Sequence, residues 1–140
     1  MIRVVLDTNT IVSAQLKPNG LEATVLLLAL RGDISLFVSP PFLAEYQRVL
    51  YKTKLKFDPR RVEAVLLDIG AASRLVHPTR TLAEATHEAD NRFLECAETA
   101  RADFLITGNK RHFPKDWKVS RIFNAREFME QTAILRLPNL

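Results

Sequence analysis

Two patterns of apolar and polar positions take turns along the chain. Short, nearly continuous apolar runs occur at Ile2 to Leu6, Ile34 to Val38, Phe104 to Thr107 and Val119 to Phe123. A strand covered on both faces reads this way. Between these runs lie segments with helical marks. Leu21 to Arg31 is closed by Gly32, and Pro40 to about Lys54 is opened by Ser39-Pro40-Pro41, with Ser39 as its cap. Arg60 to about Ala72 follows Asp58-Pro59, and Asp90 to Arg101 is helical in pattern. Asn124 begins a short helix, and Glu127 three residues on completes a capping box. Arg74 to Val76 is a brief extended segment, and Pro78 to His87 reads as loop or a short helical turn. Strands that alternate with helices predict an α/β fold with a central, mostly parallel sheet flanked by α-helices.

Composition narrows the class. The chain has 140 residues and is 47% hydrophobic, which suits one domain spanning 1–140 with a core of its own. There is no repeat and no linker, and no apolar run reaches the length of a membrane span. The chain enters its first strand at once, so no signal peptide is expected, and the single Cys96 fits a reducing cytoplasm. The net charge of +4 is compatible with a nucleic-acid partner without requiring one. The tail from Leu135 to Leu140 is expected either to be poorly ordered or to pack on a partner.

The chemistry gathers at strand ends. In open α/β sheets, ligands sit beyond the carboxyl ends of the strands. Asp7 follows the first strand, although Asp-Thr-Asn also serves as a helix cap or turn. Glu45 lies on the helix after the second strand, at the edge of an apolar stripe of Phe42, Tyr46, Val49 and Leu50. The plainer alternative is a glutamate that reaches out to solvent. Asp90 shares a helical face with Phe93, Leu94 and Ala97, which enters the core. Its alternative is an N-cap. Thr107, Gly108 and Asn109 follow the third main strand, where Gly108 permits a tight turn or a close backbone approach. Asn109 offers a neutral oxygen there, or simply turns the chain.

Three acids and an amide at one sheet end need a counter-charge. Hard divalent cations, Mg²⁺ or Mn²⁺, are the natural one for oxygen ligands, with Asp7, Glu45, Asp90 and Asn109 as candidate ligands. His77, His87 and His112 show no ligand spacing that would favour zinc. Such a centre on a basic domain points to phosphate chemistry. Lys110, Arg111 and Lys115 lie just after Asn109 and are candidates for phosphate contact. Lys52, Lys54, Lys56, Arg60 and Arg61 form a second basic cluster, read as a solvated face.

Four stretches together resemble the PIN-domain family, and more narrowly the VapC-like toxins of bacterial toxin–antitoxin systems. They are LDTN at Leu6 to Asn9, LAEY at Leu43 to Tyr46, ADNRFLECA at Ala89 to Ala97, and ADFLITGNKRHFP at Ala102 to Pro114. The resemblance runs from Ile2 to about Met129. It implies a single PIN-like domain and a metal-dependent ribonuclease in which Asp7, Glu45 and Asp90 are the catalytic, metal-binding acids. Asn109 stands where many members carry a fourth acid, and His112 where some others place one. Asn9, Thr107 and Ser13 have the chemistry of residues that orient carboxylates and waters. The resemblance also implies an RNA substrate, an antitoxin partner that covers the site, and a homodimer.

Two other readings compete. A phosphotransferase of the haloacid-dehalogenase type also begins with a strand ending in Asp, but it needs a second acid two residues on, where Asn9 stands. The second is a catalytically weak or inactive PIN-like scaffold that binds RNA or a protein, a reading fed by the absent fourth acid.

Overall fold

The structure is a computed structural model that describes residues 1–79, 81–83 and 88–132. His87, much of the expected Pro78 to His87 loop, and the tail from Leu135 to Leu140 lie outside the described residues. The elements in order are β1 (Arg3–Leu6), α1 (Thr8–Leu16), α2 (Leu21–Leu30), β2 (Ser35–Val38), α3 (Pro40–Leu50), a 3-10 turn (Thr53–Leu55), α4 (Pro59–Ala72) and β3 (Arg74–Leu75). Then come α5 (Glu88–Ala100), β4 (Phe104–Ile106), a second 3-10 turn (Lys110–His112), β5 (Asp116–Trp117), β6 (Ser120–Phe123) and α6 (Ala125–Thr132).

The strands form one sheet of six in the order β3-β2-β1-β4-β6-β5. All neighbours are parallel except β5 and β6, which form a hairpin. The α/β expectation therefore holds. Continuous apolar runs formed these strands because both faces are covered: Val4, Val5 and Leu6 are all buried, as are Leu36, Phe37 and Val38.

The order has a consequence for function. From β1 the chain builds outward to β2 and β3, then returns to place β4 on the other side of β1. The strand order reverses between β1 and β4, which is the position where open α/β sheets bind ligands. The register pairs Leu6 with Ile106, so the residues that follow, Asp7 and Thr107, leave the sheet side by side. The Asp7 amide still donates to the Ile106 carbonyl, at 3.0 Å.

An aromatic cluster fixes the helices that meet this edge. The rings of Phe42 on α3 and Phe93 on α5 lie 3.9 Å apart between centroids. Tyr46 is fully buried, and its hydroxyl donates to the Leu6 carbonyl. That bond ties α3 to the last residue of β1 and holds the neighbouring Glu45 at the sheet edge. On the other flank, Phe104, Phe123 and Phe128 join β4, β6 and α6, with centroids 5.2 and 5.3 Å from Phe104.

Local signals mostly act as expected. Asn124 and Glu127 form a reciprocal capping box, at 3.0 and 2.8 Å. Gly32 has φ +81° and closes α2, the left-handed turn that glycine tolerates. Three expectations need correction. Ser39 precedes α3 but makes no side-chain cap bond, and its buried Oγ has no partner among the described residues. Gly108 has neither a left-handed backbone nor a close neighbour, so nothing there demands glycine. The helix from Pro40 ends at Leu50 rather than near Lys54, and the chain continues in the 3-10 turn.

Candidate active site

Beyond the ends of β1 and β4 lies a cleft of about 290 Å³. Asp7, Thr8, Asn9 and Val12 line it from the start of α1, and Glu45 and Val49 line it from α3. Lys52, Lys54 and Leu55 contribute from the segment that follows α3, and Asp90 and Phe93 from α5. The three acids chosen from the sequence thus come from three elements and face one cavity.

Asp7 is 2% exposed. It caps α1 as the plainer reading allowed, and it lines the cleft as well. Its Oδ1 accepts from the Thr10 amide at 2.9 Å and from Thr10 Oγ1 at 3.0 Å. Its Oδ2 accepts from the Thr107 hydroxyl. Burial pushes the Asp7 carboxyl up to about 6, the hydrogen bonds from Thr107 and Thr10 oppose the rise, and the charge of Asp90 adds to it. With Oδ1 doubly engaged and Oδ2 singly, one lone pair of Oδ2 remains for a ligand.

Glu45 does not reach out to solvent. Its Oε2 accepts from the Thr8 hydroxyl, and its Oε1 lies 3.7 Å from the Arg48 guanidinium, which is largely exposed. Asp90 is the third residue of α5 rather than its cap, so its carboxylate meets the positive end of the helix. His112 Nδ1 lies 3.6 Å from Asp90 Oδ2.

The remaining candidates are distributed unevenly. Asn9 lines the cleft. Thr107 is buried behind it and acts through Asp7. Asn109 is not among the lining residues. Its backbone amide donates to Thr107 Oγ1 at 2.9 Å and so steadies the donor to Asp7. Ser13 sits on α1, half-buried and off the cleft. Lys110 is held by both oxygens of Glu127 at 2.8 Å, Arg111 is exposed, and Lys115 lines a separate groove with Lys110 and Glu127. The residues that sequence reasoning passed over are Thr8, whose hydroxyl holds Glu45, and Lys52 and Lys54, which border the cleft rather than a purely solvated face.

The donor set suits a hard divalent cation. Every acid on the cleft offers oxygen, and Asp90 adds its charge to the burial that raises the Asp7 carboxyl. Among the described residues no three His, Cys, Asp or Glu side chains close around a single point as they stand. Ligation therefore requires the half-buried Glu45 and Asp90 to turn inward, while Asp7 is already fixed by its three hydrogen bonds.

Comparison with known proteins agrees with this arrangement. The family model described as PIN domain matches residues 3–111. An uncharacterized protein of Methanocaldococcus jannaschii is 30% identical over 112 residues, covering 78% of this chain and 72% of its own length. PIN domains are generally nucleases and typically use divalent metals. The match runs from β1 through β4 into the second 3-10 turn, and so takes in every element that lines the cleft; on that ground the chain belongs to the PIN-domain family.

Proposed function

We propose that this PIN-domain protein is a Mg²⁺- or Mn²⁺-dependent endoribonuclease that acts as the toxin of a toxin–antitoxin pair. The observation that carries the nuclease reading is the convergence of Asp7, Glu45 and Asp90 on one cleft at the switch point of the sheet. The toxin role rests on the four sequence stretches that resemble VapC-like toxins. With it go an RNA substrate, an antitoxin partner, a homodimer and a cytoplasmic location. Among the described residues no helix is long and apolar enough to cross a membrane.

Asp7, Glu45 and Asp90 would hold the metal. A bound ion would supply positive charge at the buried Asp7 and the Lewis acidity that hydrolysis of a phosphodiester needs. The protein's own part is orientation. Thr107 holds Asp7 from behind, and Thr8 donates to Glu45 at the mouth of the cleft. The depth of Asp7 limits water at the cleft floor.

A mixed RNA pool with Mn²⁺ tests the reading. Asp7→Asn, Glu45→Gln and Asp90→Asn should each lower cleavage by at least ~10²-fold, about 2.7 kcal/mol of transition-state stabilisation. Two folded variants with near-full activity would place the chemistry elsewhere. RNA binding without cleavage by the wild type would favour the scaffold alternative, which has its own support in the carboxylates that do not yet close around one point. Growth arrest on expression, relieved by Asp7→Asn, tests the toxin role separately.

A further inference from the structure

The cleft is not purely acidic. Lys52 and Lys54 border it on the α3 side, within two and four residues of the helix end. Leu55 lines the cleft with them, and its amide closes the turn on the Lys52 carbonyl at 3.1 Å. Both ammonium groups are exposed, and neither has an ion-pair partner among the described residues.

Three other basic side chains are already engaged, and neither Lys56 nor Arg60 lines the cleft. Arg48 lies against Glu45. Arg61 donates to the Gln15 carbonyl at 2.5 Å and covers the Phe57 ring, so it ties α4 to α1. Lys110 is neutralised by Glu127 away from the cleft. Two uncommitted point charges therefore remain on the rim of a cavity whose floor carries three carboxylates. Cations so placed do not relieve the buried Asp7, whose carboxyl stays raised. They face outward, where an anion arriving at the cleft would meet them first.

We infer that Lys52 and Lys54 form the phosphate-binding subsite for the RNA strand, holding backbone phosphates beside the scissile bond. The strand then enters past the end of α3 and not along the 110–115 segment. This rests on the nuclease reading and adds the direction of approach. Lysine suits the task because a phosphate contact fixes register without reading sequence.

The experiment is equilibrium binding of a fluorescein-labelled single-stranded RNA to the full chain carrying Asp7→Asn, so that nothing is cut, across a NaCl series. Two single-strand phosphate contacts contribute about 1.4 to the log–log salt slope. Adding Lys52→Ala with Lys54→Ala should flatten the slope by about that amount, and Lys52→Arg with Lys54→Arg should restore it. A charge-matched pair away from the cleft, Lys17→Ala with Lys118→Ala, should leave the slope within about 0.3 of the parent. With Asp7 intact, the Lys52/Lys54 pair should raise KM and change kcat less than about twofold. An unchanged slope in a folded Lys52/Lys54 variant overturns the inference while leaving the nuclease reading intact. A loss confined to Lys110→Ala with Lys115→Ala overturns it in the same way. A parent that does not bind RNA, together with a wild type that does not cut it, overturns both.

Discussion

At the scale of single residues, Asp7 does two jobs that oppose each other. As a cap it accepts three hydrogen bonds that favour the ionised form, and as a buried acid it resists ionisation. Burial wins, because the carboxyl rises from 3.8 to about 6. The folded state therefore holds the proton more tightly than the unfolded chain does. The stability linked to that proton is complete below the unfolded value and is lost as pH rises through 6. In chelator, the wild type should lose about 1 kcal/mol more between pH 5 and pH 8 than Asp7→Asn does, as read by urea unfolding. Parallel pH profiles for the two proteins would show that Asp7 ionises without penalty. The acids of this site were legible in the sequence because each follows a strand or borders an apolar stripe. Of their threonine partners, Thr107 was expected only through the family resemblance, and Thr8 was not expected at all. Thr8 and Glu45 are 37 positions apart, and Thr107 and Asp7 are 100 apart, distances that local pattern does not span.

At the scale of elements, Glu45 is placed by its neighbour. Tyr46 anchors α3 to the Leu6 carbonyl, in the dry space between α3 and the end of β1. Tyr46→Phe keeps the ring and removes the donor, leaving a buried carbonyl unpaired. It should cost about 1–3 kcal/mol of stability by chemical denaturation. It should also lower nuclease activity more than an equally destabilising substitution remote from the cleft, such as Phe128→Leu. Equal activity at equal stability would show that the bond serves packing alone. The stripe of Phe42, Tyr46 and Leu50 that places this helix was readable at helical spacing, and all three are buried. Helix α1 was not readable. Thr8, Thr10, Ile11 and Val12 are β-branched and prolong the apolar run of β1, so local propensity favours strand where Asp7 in fact starts a helix. The hairpin strand β5 escaped for a simpler reason: two residues carry no period.

At the scale of the whole molecule, the reversal of strand order brings carboxylates to one edge that no single element would gather. That gathering costs stability in the metal-free protein, since Asp7 and Asp90 repel each other across a partly dry cleft. A divalent ion that binds the folded state and not the unfolded chain stabilises it by mass action. At 100 times its dissociation constant the gain is about 2.7 kcal/mol, enough to raise the melting temperature by several degrees for a domain of this size. Asp90→Asn should move the two limits in opposite directions. Without metal it removes one of the repelling charges, so its melting temperature should rise slightly above that of the wild type. With Mn²⁺ it lacks a charged ligand, so its metal-induced shift should shrink. A structural aspartate at the start of α5 behaves otherwise: the favourable contact with the helix end is lost, stability falls in chelator, and the metal shift is unchanged. Melting curves of wild type and Asp90→Asn in Mn²⁺ and in chelator therefore separate a ligand from a helix-end charge without any assay of RNA cleavage. A wild type that Mn²⁺ leaves unshifted would point away from a metal centre and toward a PIN domain that binds without cutting.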